Sequence, residues 1–395
     1  MANETVSLQG IQVPAQAVND ALFFALTQRK QAQNKSGTLT LGSTEPIKLR
    51  QQGIIAGIEL RVFGTVTLAT APSVTPTFRW PLDLVKKVRC NVNGSSNLLN
   101  LSGAKLKARA VMDPDWNDRG VTKNLSNPTA AGTNNQGTLM MNGEDQGTNG
   151  ANKLIPGQAQ TNAVAFSFDL FYFLPIAADQ ISLKGAVFAQ TTAVELNLEI
   201  DAASPTDLYT VGAGTATPVV NYAVQPIIYS IPSVNGMQIV PTLDEFHSLI
   251  ESQSSVLGIG DNDIPLIGFG AGRKLLRLFW QTWNGAAPQV PLLQNATNFG
   301  PVRWMYGLNE VPEVIPNGQH LRYQNDRLFD SDIAAIWGFG AYDFANKFAL
   351  RDLVDGNKVT DLRLNLNIAS GVSPALNNAR TEFVQETLSV APISA

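Results

Sequence analysis

The segment from residue 164 to residue 200 constrains the fold most, because its last part alternates strictly between apolar and polar side chains. Glu195, Asn197 and Glu199 alternate there with apolar residues at positions 194, 196, 198 and 200. A period of two is that of a β-strand with one buried face and one solvated face. The same alternation recurs early and late in the chain, at Ile58, Leu60, Val62, Val66 and Leu68, and at Leu362, Leu364, Leu366 and Ile368. The sequence therefore predicts an all-β protein.

The strand patterns fall into two groups. A chain of 395 residues is longer than one hydrophobic core usually serves. Predicted strands are 38–41, 54–70, 84–92, 165–174, 186–200 and 219–231 in the first group, and 274–282, 302–308, 335–342, 361–368 and 382–390 in the second. No β-α-β alternation interrupts them. The pattern predicts two tandem jelly-roll β-sandwiches with an N-terminal helical arm and short accessory helices: 1–36 for the arm, 37–232 for the first jelly roll and 233–395 for the second.

An amphipathic helix is predicted near the N-terminus, over residues 14–30. Pro14 suits a first turn, and Val18, Leu22 and Leu26 repeat at four-residue spacing with Phe23 beside them. Arg29, Lys30 and Lys35 follow, and cations favour a helix C-terminus. Two interpretations stay open: the helix packs on its own domain, or it is an arm that docks on neighbouring subunits or a lipid surface.

Two shorter helices and one long loop are also predicted. One helix lies within 97–111. The T-x-x-E pattern of Thr242 and Glu245 is a capping box, which predicts a helix through Phe246, Leu249 and Ile250. Residues 113–163 are rich in Asn, Gly, Thr and Gln, show no strand period and are too long for an ordinary connection, so they are predicted to form a large surface loop.

The composition restricts the possible partners. Charged residues make up 15% of the chain and the formal net charge is -4, without clustered Lys or Arg, which argues against direct nucleic-acid binding. A lightly charged surface suits a protein covered by copies of itself. The single cysteine, Cys90, excludes an internal disulfide. No signal-peptide pattern or membrane span is apparent, which predicts a soluble protein made in the cytoplasm.

No residue pattern predicts a catalytic, cofactor or metal site. The two histidines, His247 and His320, have no second ligand at helical spacing, and Cys90 lies in an alternating strand. Gly268, Gly270 and Gly272 lead into a strand and not into the helix that a phosphate loop requires.

Two weaker candidates are a calcium loop and a carboxylate pair. DPDWND at 113–118 resembles a calcium loop, but Asp118 stands where glycine is needed and Asn124 where glutamate is needed. Glu310 and Glu313, beside Trp304 and Tyr306, could form a glycosidase pair, or could be charged residues of a proline-rich connection. The alternative function is thus a carbohydrate-binding or carbohydrate-cleaving tandem β-sandwich, which would use aromatic platforms at Trp280, Trp283, Trp304 and Trp337.

Several segments resemble one protein family. FDLFYFLPIAADQISLKGAVFAQTTAVELNLEI, within 164–200, resembles a first-domain stretch of tectivirus-type double jelly-roll major capsid proteins, of the tectivirus and adenovirus hexon lineage. GIIAGIELRVFGTVTLA followed by PLDLVKKVRCNVNG resembles earlier strands of the same family in the same order. The resemblance covers most of the first half and is architectural in the second.

The resemblance implies a viral major capsid protein without catalysis. Three chains would form a trimeric, pseudo-hexagonal capsomer that tiles an icosahedral shell around an internal membrane. The arm residues Val18, Leu22, Phe23 and Leu26 would lie near neighbouring capsomers, with Arg29, Lys30 and Lys35 near anionic lipid. Partners would be further copies, minor capsid and vertex proteins and the membrane, in a virion assembled from protein made in the host cytoplasm. A minor capsid or vertex protein is a third possibility, distinguished by copy number.

Overall fold

The computed structural model describes residues 5–8, 11–31, 34–78, 80–93, 96–112, 159–161, 163, 165–179, 181–191, 194–266, 269–270, 272–285, 290–307, 310–329, 338–345, 353–359 and 361–390. Most of these residues lie in strands, which confirms the all-β prediction.

The first half of the chain contains the following elements. They are β1 Thr5–Leu8, β2 Ile11–Pro14, α1 Ala15–Leu26, β3 Arg29–Gln31, β4 Lys35–Thr38, β5 Thr44–Lys48, β6 Ile54–Pro76, β7 Val85–Val92, β8 Ser96–Leu101, α2 Gly103–Val111, β9 Ala165–Pro175, β10 Val187–Phe188, β11 Leu196–Ala202, α3 Pro205–Leu208 and β12 Tyr209–Tyr229. A 3-10 turn at Leu82–Leu84 precedes β7.

These strands form a jelly roll of two facing sheets. One sheet has six strands: β6 lies between β9 and β12, β3 and β4 pair with β12, and β10 pairs with the start of β6. The other sheet has the order β8-β7-β11-β5. Inward side chains of both sheets build one core, which includes Trp80, Tyr172 and Tyr222.

The second half has its own set of elements. They are β13 Ser233–Val234, β14 Met237–Gln238, β15 Glu245–Gln253, β16 Gly260–Pro265, β17 Arg273–Asn284, β18 Val290–Pro291, β19 Phe299–Tyr306, β20 Glu310–Ile315, α4 Gly318–Phe329, β21 Phe339–Asp343, β22 Val354–Asp355, β23 Leu362–Ile368 and β24 Arg380–Val390.

The second half repeats the arrangement of the first. One sheet runs β15-β24-β17-β21 and the other β16-β23-β19-β20, with a separate core around Trp280 and Trp304, whose rings meet edge to face at 6.1 Å. Helix α2 follows β8 and helix α4 follows β20, so each jelly roll carries one helix between two of its strands. Two tandem jelly rolls are therefore present, as the sequence predicts.

The two jelly rolls share a sheet. Strand β15 pairs with β8 in parallel, through Leu249 opposite Leu99 and Ile250 opposite Asn100, and this joins strands of both halves into one ten-stranded sheet. The two cores are thus connected through hydrogen-bonded backbone and not through a linker alone.

The capping-box prediction is wrong. Residues 245–253 form β15, which pairs with β24 over nine residues and lies against β8. Glu245 binds Lys184 and Lys274, each at 2.9 Å, instead of capping a helix. Sheet pairing at a largely buried position outweighs a local helix signal.

Other element boundaries differ from the predictions. The predicted strand 186–200 is divided into β10 and β11, and the predicted helix 97–111 contains β8 followed by the shorter α2. The N-terminal helix ends at Leu26, and residues 29–31 and 35–36 of the predicted arm pair with β12 of the first jelly roll. Helix α4 was not predicted, although Asn317 supplies its start signal: its side-chain oxygen accepts a hydrogen bond from the backbone N–H of His320 at 2.9 Å.

Candidate functional site

Helix α1 is anchored to the body of the protein by two contacts. Phe23 is fully buried in a small cluster with Ile54, Ala177 and Ile239. The Asp20 carboxylate accepts hydrogen bonds from the backbone N–H of Thr242 at 2.8 Å and from its hydroxyl at 3.1 Å. The helix therefore packs on its own chain, where the two jelly rolls meet.

The anchored helix leaves part of its apolar surface in solvent. Leu22 is 38% exposed and Leu26 is 46% exposed, and Phe24 beside them is also exposed, whereas Val18 is half-buried. The residues predicted to form one stripe therefore divide into a buried anchor at Phe23 and an exposed apolar edge.

The basic residues predicted for the arm lie in strands. Arg29 and Lys30 are exposed in β3, and Arg29 lies 4.0 Å from Glu59. Lys35 in β4 lies 2.7 Å from Glu45, which also accepts a hydrogen bond from the Tyr222 hydroxyl. This partner raises the pKa of Lys35, and the same contact lowers the pKa of Glu45. Lys35 thus has a structural partner within its own jelly roll.

A buried ionic network lies between the two jelly rolls, where α2 of the first packs on the sheet of the second. The Arg109 guanidinium donates two hydrogen bonds to the Glu386 carboxylate, both at 2.7 Å. Both side chains are almost completely buried. A bidentate pair of this kind fixes direction as well as distance, so it sets how α2 lies on β24.

Two further groups complete the surroundings of Glu386. His247 Nε2 lies 3.0 Å from a Glu386 oxygen, and its Nδ1 lies 3.3 Å from the carbonyl oxygen of Pro175. Arg277 lies 3.6 Å from Glu386 and 3.4 Å from Asp343. Burial alone raises the pKa of Glu386, but Arg109, Arg277 and His247 outweigh it and hold that pKa well below its usual range.

A second buried group of charges lies one turn earlier on α2. Lys105 is fully buried, and its ammonium lies 2.5 Å from Glu382 and 3.7 Å from Glu251. Glu251 also accepts a hydrogen bond at 2.8 Å from the backbone N–H of Ser102, the residue before α2. A carboxylate from the second jelly roll therefore caps the helix N-terminus, where negative charge is favoured.

The network is suited to fixing the geometry of the junction, because each of the carboxylates Glu251, Glu382 and Glu386 lies next to a cation of α2. Cations on α2 meet carboxylates on β15 and β24, so the two jelly rolls are aligned by complementary charge in a site that excludes water. Lys107 lies on the opposite face of α2, with its ammonium 5.4 Å from the ring of Tyr172 in the first jelly roll. No local pattern predicts this site, because its cations and its carboxylates come from segments more than a hundred residues apart.

The candidate reactive residues lie elsewhere or are shielded. Cys90 is fully buried, and burial raises the pKa of its thiol to about 12. His247 belongs to the ionic network, and His320 lies in the first turn of α4. Across the described ranges, no group of three or more His, Cys, Asp or Glu side chains is placed to hold a metal ion. The calcium candidate at 113–118 with Asn124, and Gly268, lie outside the described residues.

The proposed carboxylate pair is not assembled by the described side chains. Glu313 lies in β20, where the Tyr342 hydroxyl donates a hydrogen bond to it and burial raises its pKa. It borders a cavity of about 440 Å³ with Trp304, Tyr306 and Asp343. The side chain of Glu310 lies outside the described residues. Asp343 is already paired with Arg277.

The tryptophans predicted as sugar platforms are core residues. Trp280, Trp283 and Trp304 are almost completely buried, and Trp337 lies outside the described residues. A buried ring cannot stack on a sugar from solvent, so the structure offers no support for the carbohydrate alternative. No helix in the described part of the chain is long and apolar enough to cross a membrane.

No protein-family model matches the sequence, and no curated protein matches it either. Solved structures match over almost the whole length. The STIV major capsid protein is 12% identical with a TM-score of 0.64, and the match covers 92% of this chain and 97% of that chain. A chain from the atomic structure of Sulfolobus Turreted Icosahedral Virus is 13% identical with a TM-score of 0.63, over 92% and 91% of the two chains. The Faustovirus major capsid protein is 10% identical with a TM-score of 0.54, over 92% and 90%.

These matches include both jelly rolls. The chain therefore has the double jelly-roll fold found in viral major capsid proteins, as its sequence resemblance implies.

Proposed function

We propose that this chain is a viral major capsid protein, a structural and non-catalytic building block of an icosahedral shell. The observation that carries the proposal is the pair of jelly rolls locked side by side, matched over 92% of the chain by a capsid protein. Two sandwiches of similar architecture in one rigid chain let three copies present six similar walls. A trimer can then occupy a pseudo-hexagonal position in a closed lattice.

The buried network supports this role. A shell subunit transmits lateral forces through its body, and the junction at Arg109 and Glu386 resists relative rotation of the two jelly rolls. Directional, water-free ion pairs are suited to specifying one arrangement, even where they add little net stability.

Native mass is the direct test. The purified protein should sediment as a trimer that persists across a dilution series, and electron microscopy of assembled material should show closed particles. A monomer at all concentrations that forms no particles would contradict the proposal. Copy number in isolated virions separates a major capsid protein from a minor or vertex protein.

We further propose that the N-terminal region contacts neighbouring capsomers or an internal membrane. Phe23 anchors α1, Lys35 is paired with Glu45, and Arg29 lies 4.0 Å from Glu59. The exposed groups of this region that could meet an outside partner include Leu22, Leu26 and Lys30, beside the half-buried Val18. Exposed leucines next to cations suit an anionic lipid surface, and they also suit a neighbouring subunit with acidic rim residues.

The arm is tested by a double variant, Leu22→Ser with Leu26→Ser. Trimers should form normally, while particle yield or flotation with phosphatidylglycerol-containing vesicles should fall. Loss of flotation would identify lipid, and loss of particles without lipid would identify a neighbouring subunit. Val256→Ser with Ile259→Ser is the matched control, since both residues are exposed apolar side chains on the second jelly roll. Unchanged particles and unchanged flotation in the arm variant would remove the arm from assembly.

A further inference from the structure

The six-stranded sheet of the first jelly roll has an outer face of small, uncharged side chains. Its rows follow from the strand register: Thr67 lies opposite Ala165 and Thr217, and Thr65 lies opposite Ser167 and Val219. The next outward row consists of Asp169, Phe63 and Asn221. These side chains are exposed or half-buried, and Val219 is 51% exposed.

Charge is sparse on the part of this face that runs from Arg61 to Thr67, and the pair of Arg29 with Glu59 lies at one end of it. The sequence has no charged residue between Arg61 and Arg79 or between Asp207 and Asp244, so β12 contains none. Within these rows one ion pair occurs, in which Arg61 donates to Asp169 at 2.6 and 2.8 Å. The Arg61 guanidinium also lies 4.4 Å from the Phe63 ring centroid. The two charges of this pair neutralise each other and the guanidinium is stacked, so a partner surface could cover them without leaving either unsatisfied.

The opposite sheet of the same jelly roll provides an internal comparison. Its outer face carries ion pairs from Arg89 to Glu199 and to Asp201, both at 2.9 Å, and from Lys48 to Glu195 at 2.5 Å. The outer sheet of the second jelly roll is charged as well, with Arg303 lying 3.1 Å from Asp261. The uncharged face is thus a property of one sheet and not of the whole surface.

Desolvation explains why one face would differ. A charge that is buried without a partner costs several kcal/mol, so surfaces that become buried in an assembly are depleted in charged residues. A long sheet face that stays in solvent usually carries charged side chains, which prevent association with other chains. Phosphate groups of nucleic acid or lipid would find no unpaired cation in these rows, which disfavours both as partners.

The face is large enough to form part of a stable interface between two chains. Three strands at about 4.8 Å spacing, over the seven residues 165–171 at about 3.3 Å each, give about 330 Å². Residues 69–76 and 209–215 extend it as a two-stranded ribbon on which Val211 is 44% exposed. A standard interface buries about 800 Å² per partner, so this face supplies a major part of one.

We propose that this uncharged face is the surface through which one copy of the chain binds a second copy within the capsomer. The inference rests on the proposed capsid function and identifies a surface for its closest subunit contact. Interfaces inside a stable building block are less charged than the contacts made later between blocks, and this face has that character.

Charge insertion tests the proposal. Ser167→Lys with Thr217→Lys places two cations on the face, and we expect the trimer to weaken by at least about a hundredfold in dissociation constant. Asn197→Lys with Asn367→Lys is the matched control, because it adds the same charge to the outer faces of β11 and β23. If the variant with Ser167→Lys and Thr217→Lys formed trimers as stable as those of the wild type, the proposal would be overturned. The same holds if those trimers formed normally and only shell formation failed.

A labelling experiment tests the same surface without disturbing assembly. Because Cys90 is fully buried, a cysteine introduced at Thr217 would be the reactive thiol. In the assembled protein we expect maleimide to label Thr217→Cys at least about tenfold more slowly than Thr44→Cys on the other sheet, with equal rates after denaturation. Equal rates in the assembled protein would overturn the proposal. Assembly of the wild-type chain is measured in a separate experiment. If the wild-type chain did not assemble, that result would contradict the proposed capsid function itself and not only the role of this face.

Discussion

Glu386 is the residue on which most of the buried charge converges, because Arg109, Arg277 and His247 all approach its carboxylate. Removing its charge would leave two buried guanidinium groups close together without the carboxylate that neutralises them. We therefore expect Glu386→Gln to cost about 3–5 kcal/mol of unfolding free energy at neutral pH, measured by urea denaturation. Asp207→Asn breaks the exposed pair with Lys86 at 3.0 Å and should cost less than about 1 kcal/mol.

The loss of unfolding free energy caused by Glu386→Gln should depend on pH in a definite direction. The folded-state pKa of Glu386 is depressed, so its contribution is complete above the pKa of an unfolded glutamate, about 4.3. It should be lost progressively as the pH falls below that value towards the folded-state pKa. The gap in stability between wild type and Glu386→Gln should therefore be constant from pH 7 to about 5 and shrink below about 4.3. If the difference in stability between wild type and Glu386→Gln grew on acidification, Glu386 could not be ionised in the folded protein.

Burial makes the Cys90 thiol unreactive in the folded protein. Its pKa of about 12 leaves almost no thiolate at neutral pH, and its side chain has no access to solvent. We expect no reaction with a thiol reagent such as dithionitrobenzoate in the native protein at pH 8, and stoichiometric reaction in urea. Rapid reaction of the native protein would show that the strand β7 opens locally.

At the level of elements, the sequence predicts strands well where one face is buried and the other is wet. Strands β6, β7, β9 and β23 begin within one residue of their predicted starts, because inward Val, Leu and Phe alternate with polar residues there. β15 was missed because its pattern is not alternating: His247, Ser248 and Leu249 are all buried between β24 and β8. That burial depends on partners more than a hundred residues away, which a local pattern cannot contain.

Helix α1 was predicted from its apolar spacing, but the spacing did not identify the residue that anchors it. The stripe of Val18, Leu22 and Leu26 is the regular one, whereas the docked side chain is Phe23. The reason is that Ile54, Ala56 and Ile239 form a socket for one large ring, and a socket is a tertiary feature. The ionic network escaped prediction for the same reason, since charged residues in strands and helices usually face solvent.

Phe23→Ala tests the anchoring of α1. Truncating a buried phenylalanine usually costs about 3–5 kcal/mol, and here the loss should fall on the contact between the helix and the body. We expect limited proteolysis to cleave within α1 much faster, while the amide protons of β6 keep their protection from exchange. Phe24→Ala, which truncates an exposed neighbour, should leave the cleavage rate nearly unchanged. Equal effects of the two substitutions would mean that the helix is held by other contacts.

At the scale of the whole molecule, each jelly roll supplies charges that neutralise buried charges of the other. The second contributes Glu251, Glu382 and Glu386, and the cations that neutralise them include Lys105 and Arg109 on α2 of the first. The shared sheet adds a backbone contact between β8 and β15. Each half has its own hydrophobic core. Separating the halves would nevertheless break the buried ion pairs and leave charged groups of each half without their partners.

A division of the chain at the predicted boundary between residues 232 and 233 tests this dependence. Residues 233–395 expressed alone should be insoluble or lack cooperative unfolding, because buried carboxylates on β15 and β24 would lose Lys105 and Arg109. Co-expression with residues 1–232 should restore a soluble complex, and the intact chain should unfold in one calorimetric transition. Replacing Glu251, Glu382 and Glu386 together with Gln in the isolated fragment should recover part of its solubility, since neutral amides cost less to bury than unpaired carboxylates. A fragment that folds alone with its glutamates intact would show that the junction aligns two independent units, and the proposed rigidity of the capsomer would then have to come from contacts between chains.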